Sequence, residues 1–186
     1  ESDAIITRNL ITANSGYAGG GILTYLGKAR ITSNLIYSNS AAVGGGTVLV
    51  NGSQFSNNTL VGNDAELAGN IYAISGLSGQ ALVTGNIICS ATSGGGIYIE
   101  TDTPTNQTAF NNVWNNVGGD FVGTNRTGLD GNISQDPRFV DATGNDYRLQ
   151  DVSPCINGGD PQFQPAAGEL DLYGSEGRNE ATGRGV

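Results

Sequence analysis

The chain says one thing twice. Asn9–Ile22, NLITANSGYAGGGI, returns twenty-five residues later as Asn34–Thr47, NLIYSNSAAVGGGT. A unit this short cannot bury its own apolar residues, so copies must stack on one another, and the chain is constrained to a solenoid, array or propeller. Aligning on the first asparagine gives five anchors, Asn9, Asn34, Asn58, Asn86 and Asn112, at spacings of 25, 24, 28 and 26 residues. An apolar residue stands three before each anchor (Ile6, Ile31, Phe55, Val83, Ala109) and another two after it (Ile11, Ile36, Leu60, Ile88, Trp114). A second asparagine follows at five in the first three copies (Asn14, Asn39, Asn63), where the last two carry Ala91 and Val117. Glycine clusters then lead into a further short strand.

Local period chooses among the solenoids. The units are rich in Gly, Asn, Thr and Ser, with β-branched residues alternating over three to five positions, which favours short strands and tight turns over helices. Three strands per turn, stacked at about 4.8 Å per coil, describe a parallel β-helix of about five coils over residues 1–123. The anchor asparagines then lie one above another, each amide donating to the next, because burying them unpaired would cost a few kcal/mol each. Residues 124–186 break the period and form a linker or last irregular coil, then a β-rich extension that packs along the solenoid or caps it.

Charge bounds the partners. Eight Lys+Arg against seventeen Asp+Glu leave a net charge of −9, and neither part of the chain makes a basic patch, so nucleic acid and anionic membranes are poor partners. Apolar residues make up 37% of the chain with no run long enough for a membrane insertion. Histidine is absent, which removes imidazole chemistry. With no methionine, and Glu1 leading into a coil by Ala4, the sequence reads as a processed or excised piece, and its open coil end either has lost earlier coils or invites self-association.

Candidate site residues follow from the repeat register. Lys28 and Asp3 each stand six before an anchor, and Arg30 shares the outward face of Lys28. Lysine and arginine on such a face are what a polysaccharide lyase needs to take a proton beside a uronate and neutralise its carboxylate, and Asp3, Lys28 and Arg30 form the alternative catalytic set. Glu100 and Asp102 are the best paired carboxylates in the repeats, at the spacing of one strand face. Outward Tyr25, Tyr37, Tyr72 and Tyr98, with those two acids, suit a glycan, since aromatic rings cover the apolar face of a pyranose while polar groups reach its hydroxyls. No cofactor is expected; Asp141, Asn145 and Asp146 would offer oxygens to calcium, but three ligands fall short of six to eight, and turn formation is the better reading. Cys89 and Cys155 either bridge, if the extension folds over coil four, or stay as two buried thiols.

The tail carries a resemblance. Its phrases QDPRFVD, NDYRLQDVSPCINGGDP and LDLYGSEGR resemble the C-terminal part of large right-handed parallel β-helix repeat proteins, including those with a choice-of-anchor Q region and polymorphic membrane proteins. Asp136, Pro137, Phe139, Val140 and Asp141 match the first phrase, and Asp146, Tyr147 and Leu149 the second. Ser153, Pro154, Ile156, Gly159, Asp160 and Pro161 match the third, with Asn157 where Asp is usual, and Asp171, Leu172, Gly174 and Arg178 match the fourth. The resemblance implies a secreted or cell-surface protein, and relatives of the fold include pectate, alginate and chondroitin lyases. The expected role is a structural and recognition module that binds polysaccharide or cell-surface glycan or acts as an adhesin. A uronate lyase and a self-stacking filament subunit are the alternatives.

Overall fold

The computed structural model describes residues 3–25, 28–50, 52–74, 81–100, 108–156 and 158–162. It is a parallel β-solenoid of about four turns, and no helix occurs among the described residues. The first coil holds β1 (Ala4–Thr7), β2 (Leu10–Thr12), β3 (Ser15–Ala18) and β4 (Ile22–Leu23). The second holds β5 (Ala29–Thr32), β6 (Leu35–Tyr37), β7 (Ser40–Val43) and β8 (Thr47–Val50). The third holds β9 (Gln54–Ser56), β10 (Thr59–Val61), β11 (Asp64–Leu67) and β12 (Ile71–Ile74). The fourth keeps three, β13 (Leu82–Thr84), β14 (Ile87–Cys89) and β15 (Ile97–Ile99), and so does the fifth, β16 (Thr108–Ala109), β17 (Asn112–Trp114) and β18 (Phe121–Val122). Three strands per turn therefore describes only the last two coils; the first three spend a fourth strand on a narrow sheet of their own.

Like strands of successive coils pair in parallel. Sheet A runs β1-β5-β9-β13-β16, sheet B β2-β6-β10-β14-β17, sheet C β3-β7-β11 and sheet D β4-β8-β12-β15-β18. The inward ladders follow the register: Ile6, Ile31, Phe55, Val83 and Thr108 from sheet A; Ile11, Ile36, Leu60, Ile88 and Val113 from sheet B; Ile22, Thr47, Ile71, Ile97 and Phe121 from sheet D. Phe55, Ile31, Ile36, Leu60, Ile71, Ile88 and Val113 are fully buried, each contributing roughly 1.5–3 kcal/mol of transfer free energy. Thr47 Oγ1 is the exception, buried with no hydrogen-bond partner among the described residues.

Sharp corners make this closure work. The residue before each first-ladder asparagine sits at positive φ: Arg8 (55°), Ser33 (55°), Asn57 (55°), Gly85 (66°) and Phe110 (56°). One left-handed residue turns the chain between sheets A and B, and the next side chain points inward. Asn9, Asn34, Asn58 and Asn86 fill that place as expected, but the fifth member is Asn111, not Asn112. Asn86 Nδ2 donates to Asn111 Oδ1 at 2.9 Å, and Asn111 Nδ2 donates to Asn132 Oδ1 at 3.0 Å. The fifth copy therefore starts one residue earlier, which puts Thr108 in place of Ala109, Val113 in place of Trp114, and Asn116 in place of Val117.

A second ladder lines the corner between sheets B and C. Asn14 donates to Asn39 and Asn39 to Asn63, at 3.1 and 3.0 Å between Nδ2 and Oδ1. Coil four has Ala91 there, and the gap is bridged from the end of coil three. Asn70 Oδ1 accepts from Asn63 Nδ2 at 2.8 Å, and Asn70 Nδ2 donates to Asn116 Oδ1 at 2.9 Å. Close stacking at the third corner explains two glycines: a Cβ on Gly45 would lie 2.2 Å from the Asp64 carbonyl oxygen, and one on Gly69 2.2 Å from that of Ser93.

After β18 the chain makes a partial sixth rung, in which Ile133 bridges Asn112 in parallel. A hairpin follows, β19 (Phe139–Asp141) with β20 (Asp146–Leu149), paired antiparallel. It packs along the outer face of sheet B, where Leu35, Val61, Ile87 and Cys89 meet Tyr147 and Cys155, with Tyr37, Trp114, Phe139 and Leu149 against them. Asn112 is the tether. Its Oδ1 accepts from the Gln135 N–H at 3.0 Å, and its Nδ2 donates to the Gln135 carbonyl at 2.8 Å and to Cys155 Sγ at 3.0 Å.

Candidate functional site

The extension decides which outward faces stay open. Sheet B is covered from coil two onward, and Tyr37, expected on a glycan-binding face, is half-buried there with its ring 5.3 Å from that of Tyr147. That placement corrects its assignment: Tyr37 holds the extension down. Tyr147 in turn meets Phe139 edge-on at 5.2 Å and donates from its hydroxyl to Asn145 Oδ1 at 3.0 Å.

Among the described residues the outer face of sheet D runs from exposed to half-buried, with Val48 at 3% the buried exception. Because side chains alternate along a strand, the register sets Leu23, Val48, Tyr72, Tyr98 and Val122 in one outward row. The next outward positions are Tyr25, Val50, Ile74 and Glu100, with Val50 and Ile74 in register. Tyr72 and Tyr98 stack with centroids 5.1 Å apart and planes at 19°, close to the strand spacing of about 4.8 Å. Such a pair contributes about 0.5–1.5 kcal/mol beyond its area. Their flat faces cover each other, so the pair presents edges and hydroxyls outward. Burial pushes the Tyr72 hydroxyl up in pKa, with the charges of Glu100 and Tyr98 adding to it. Tyr25, 71% exposed, keeps its ring free. Four of the six expected glycan contacts, Tyr25, Tyr72, Tyr98 and Glu100, thus share one face, while Asp102 lies outside the described residues.

Sheet A places the basic set. Ile5, Arg30 and Gln54 stand side by side, and Asp3 and Lys28 each directly precede the paired Ala4 and Ala29. All three charged residues are exposed. The register brings Asp3 beside Lys28 as expected, yet among the described residues the ion pairs are Arg126 with Asp130 and Arg148 with Asp146. Around Arg30 the outward neighbours are Ile5, Gln54 and the Thr7, Thr32 and Ser56 row, which supplies no further acid.

The oxygens considered for calcium are engaged in their own turn. Asp141 Oδ1 accepts from Thr143 Oγ1 at 2.7 Å and from the Gly144 N–H at 3.0 Å, and these bonds hold its carboxyl below the usual range. Asp146 takes Arg148 Nε at 2.8 Å and is held at about 2, and Asn145 accepts from Tyr147. No group of three or more His, Cys, Asp or Glu side chains suited to a metal occurs among the described residues. Cys89 and Cys155 are both buried in the cluster under the hairpin and both free, which is the two-thiol alternative. Burial pushes Cys89 up to about 12 and raises Cys155 as well.

Two further asparagines complete the ladders. Asn70 stands seven residues after Asn63, outside the repeat template, and nothing in the period marks it. Asn132 ends the first ladder at the solenoid's last rung, its Nδ2 donating to the carbonyls of Thr108 and Leu129 at 2.7 and 2.9 Å; its spacing of 21 residues from Asn111 was the available signal. No helix among the described residues is long and apolar enough to cross a membrane. Comparisons with protein-family models, with curated proteins and with solved structures return no match.

Proposed function

We propose that this chain is a secreted or cell-surface recognition module that binds a glycan along the outer face of sheet D. The observation that carries the reading is the gathering of Tyr25, Tyr72, Tyr98 and Glu100 on one side of the solenoid. Tyr25 offers its ring to a pyranose; two rungs on, about 10 Å at the strand spacing, the Tyr72 hydroxyl offers a hydrogen bond, and three rungs on, about 14 Å, the Tyr98 hydroxyl and the Glu100 carboxylate do. Tyr72 and Tyr98 stand on strands and stack on each other, so those two are ordered before a ligand arrives and binding costs them little. With a net charge of −9 the module favours neutral or amino sugars over uronates.

The test is affinity electrophoresis and calorimetry against neutral, amino and uronate polymers. Binding to one class should weaken at least tenfold in Tyr25→Ala and in Tyr72→Ala/Tyr98→Ala, with the fold intact by circular dichroism. Binding that ignores all three changes would remove sheet D as the site. Lys28 and Arg30 on one exposed face keep a uronate lyase as the second reading. An ultraviolet signal from unsaturated uronate that vanishes in Lys28→Ala would move the function to sheet A. Self-stacking draws less support, because both ladders are closed at the C-terminal end, by Asn132 and by the Asp120 carboxylate that accepts from Asn116.

A further inference from the structure

Five Asn-x-Ser/Thr triplets stand in the sequence, at Asn51, Asn57, Asn106, Asn125 and Asn132. Chemically they are equivalent, since in each an amide nitrogen stands two residues before a hydroxyl. Those beginning at Asn57, Asn125 and Asn132 lie wholly within the described residues, and the fold separates them. Asn132 is 1% exposed; its Oδ1 accepts from Asn111 and both its amide hydrogens are committed to carbonyls. A sugar there would require the end of the ladder to be dismantled. Asn57 is a half-buried corner residue, its neighbour Asn58 is 0% exposed, and Thr59 N–H is held by the Asn34 carbonyl in sheet B. That triplet cannot be drawn into a transferase cleft without opening the coil.

Asn125 differs on each count. It is exposed, and so is Thr127; the segment belongs to no strand, in the turn between β18 and the partial sixth rung. Its Oδ1 accepts from the Thr127 N–H at 2.9 Å, an Asx turn that brings the amide and the hydroxyl residue together. No described residue accepts from its Nδ2. The geometry points to Asn125 as the N-glycosylation site among the three described triplets, taking a sugar activated at its anomeric carbon by a diphosphate. In that step the Nδ2–C1 bond forms and the C1–O bond to the diphosphate breaks. The diphosphate leaves with the electron pair, and one Nδ2 proton passes to a base of the transferase. The acceptor amide is presented on the folded surface, so the step needs no unfolding.

The test uses the full chain with Asn51→Gln and Asn106→Gln, incubated with a soluble sequon-directed N-glucosyltransferase and UDP-glucose, both folded and heat-unfolded. Intact mass and peptide mapping should find one hexose on the folded chain, at Asn125, and none at Asn57 or Asn132; the unfolded chain should gain sugar at those two as well. Asn125→Gln and Thr127→Ala should each abolish the folded-chain signal. A folded chain that stays unmodified while the unfolded chain takes sugar at Asn125 would overturn the proposal. So would sugar on Asn132 or Asn57 of the folded chain, or an Asn125 that fails to react even when unfolded. The result does not depend on whether sheet D binds a glycan.

Discussion

Replacing Asn58 by leucine tests the ladder at its centre. Asn58 is 0% exposed. Its Oδ1 accepts from Asn34 N–H at 3.0 Å and Asn34 Nδ2 at 2.9 Å, and its Nδ2 donates to the carbonyls of Ile31 and Ser56 at 2.9 and 3.0 Å and to Asn86 Oδ1 at 3.2 Å. Leucine leaves the buried Asn34 N–H without an acceptor, at about 1–3 kcal/mol, and removes two or more net bonds at about 0.5–1.5 kcal/mol each. Those losses come to about 2–6 kcal/mol, and burying the new side chain offsets about 1.5–3 kcal/mol of them if it packs. The expected net loss is about 1–3 kcal/mol, and Asn58→Ala, which has no such offset, should lose more. Asn9 is exposed, so Asn9→Leu should cost under about 0.5 kcal/mol. Urea unfolding reads the difference as a fall in midpoint at unchanged slope. Equal midpoints for Asn58→Leu and Asn9→Leu would mean that the ladder bonds are no better than those to water.

Asn70→Ala should destabilise by about 2–4 kcal/mol, because Asn63 Nδ2 and Asn116 Oδ1 both lose a buried partner; adding Ala91→Asn should restore part of it in a double-mutant cycle, and no rescue would mean that coil four cannot take the template residue. Thr47→Val should raise stability by about 1 kcal/mol or more, since the hydroxyl it removes has no partner, and a lower melting temperature would count against that. Cys89, pushed from 9.0 up to about 12, keeps its proton when folded and loses it when unfolded. Its stabilisation is whole below about pH 9 and falls as pH rises toward 12, by up to about 1.4 kcal/mol per unit; melting between pH 8 and 11 should be flatter in Cys89→Val. Asn112→Leu should speed alkylation of Cys155 by freeing the extension while leaving sheets A and D protected in hydrogen exchange, and loss of protection in all sheets would show that Asn112 belongs to the core after all.

The coil architecture was legible because its causes repeat: one apolar residue per strand face and one inward asparagine per corner. The error at Asn112 shows where a template is thin. Asn111 and Asn112 are adjacent, and Val113 and Trp114 are both apolar, so neither neighbour chooses between them. The asparagine five residues on does choose, because Asn116 fits a start at Asn111 while Val117 fits nothing. Tyr37 was placed correctly as outward and wrongly as open. Its row in sheet B continues as Val61, Cys89 and Trp114, far more apolar than the Thr7, Thr32, Ser56 and Thr84 row of sheet A, and that contrast marks a covered face. Asn70 was beyond reach, since only the third dimension brings it between Asn63 and Asn116.

Both ladders run one way. From the second coil on, each corner amide gives one hydrogen to a carbonyl of the coil before it and donates to the next side-chain oxygen toward the C-terminus, and that second series stops at Asn132 and Asp120. A gene duplication that inserted one whole coil between the second and third would therefore hand each new corner a donor on one side and an acceptor on the other. The same coil placed after the fifth would meet side chains whose capacity is already spent. Such a protein can lengthen from within but not at its closed end, so inherited differences in length should fall among the interior coils and leave the terminal rung and its hairpin unchanged.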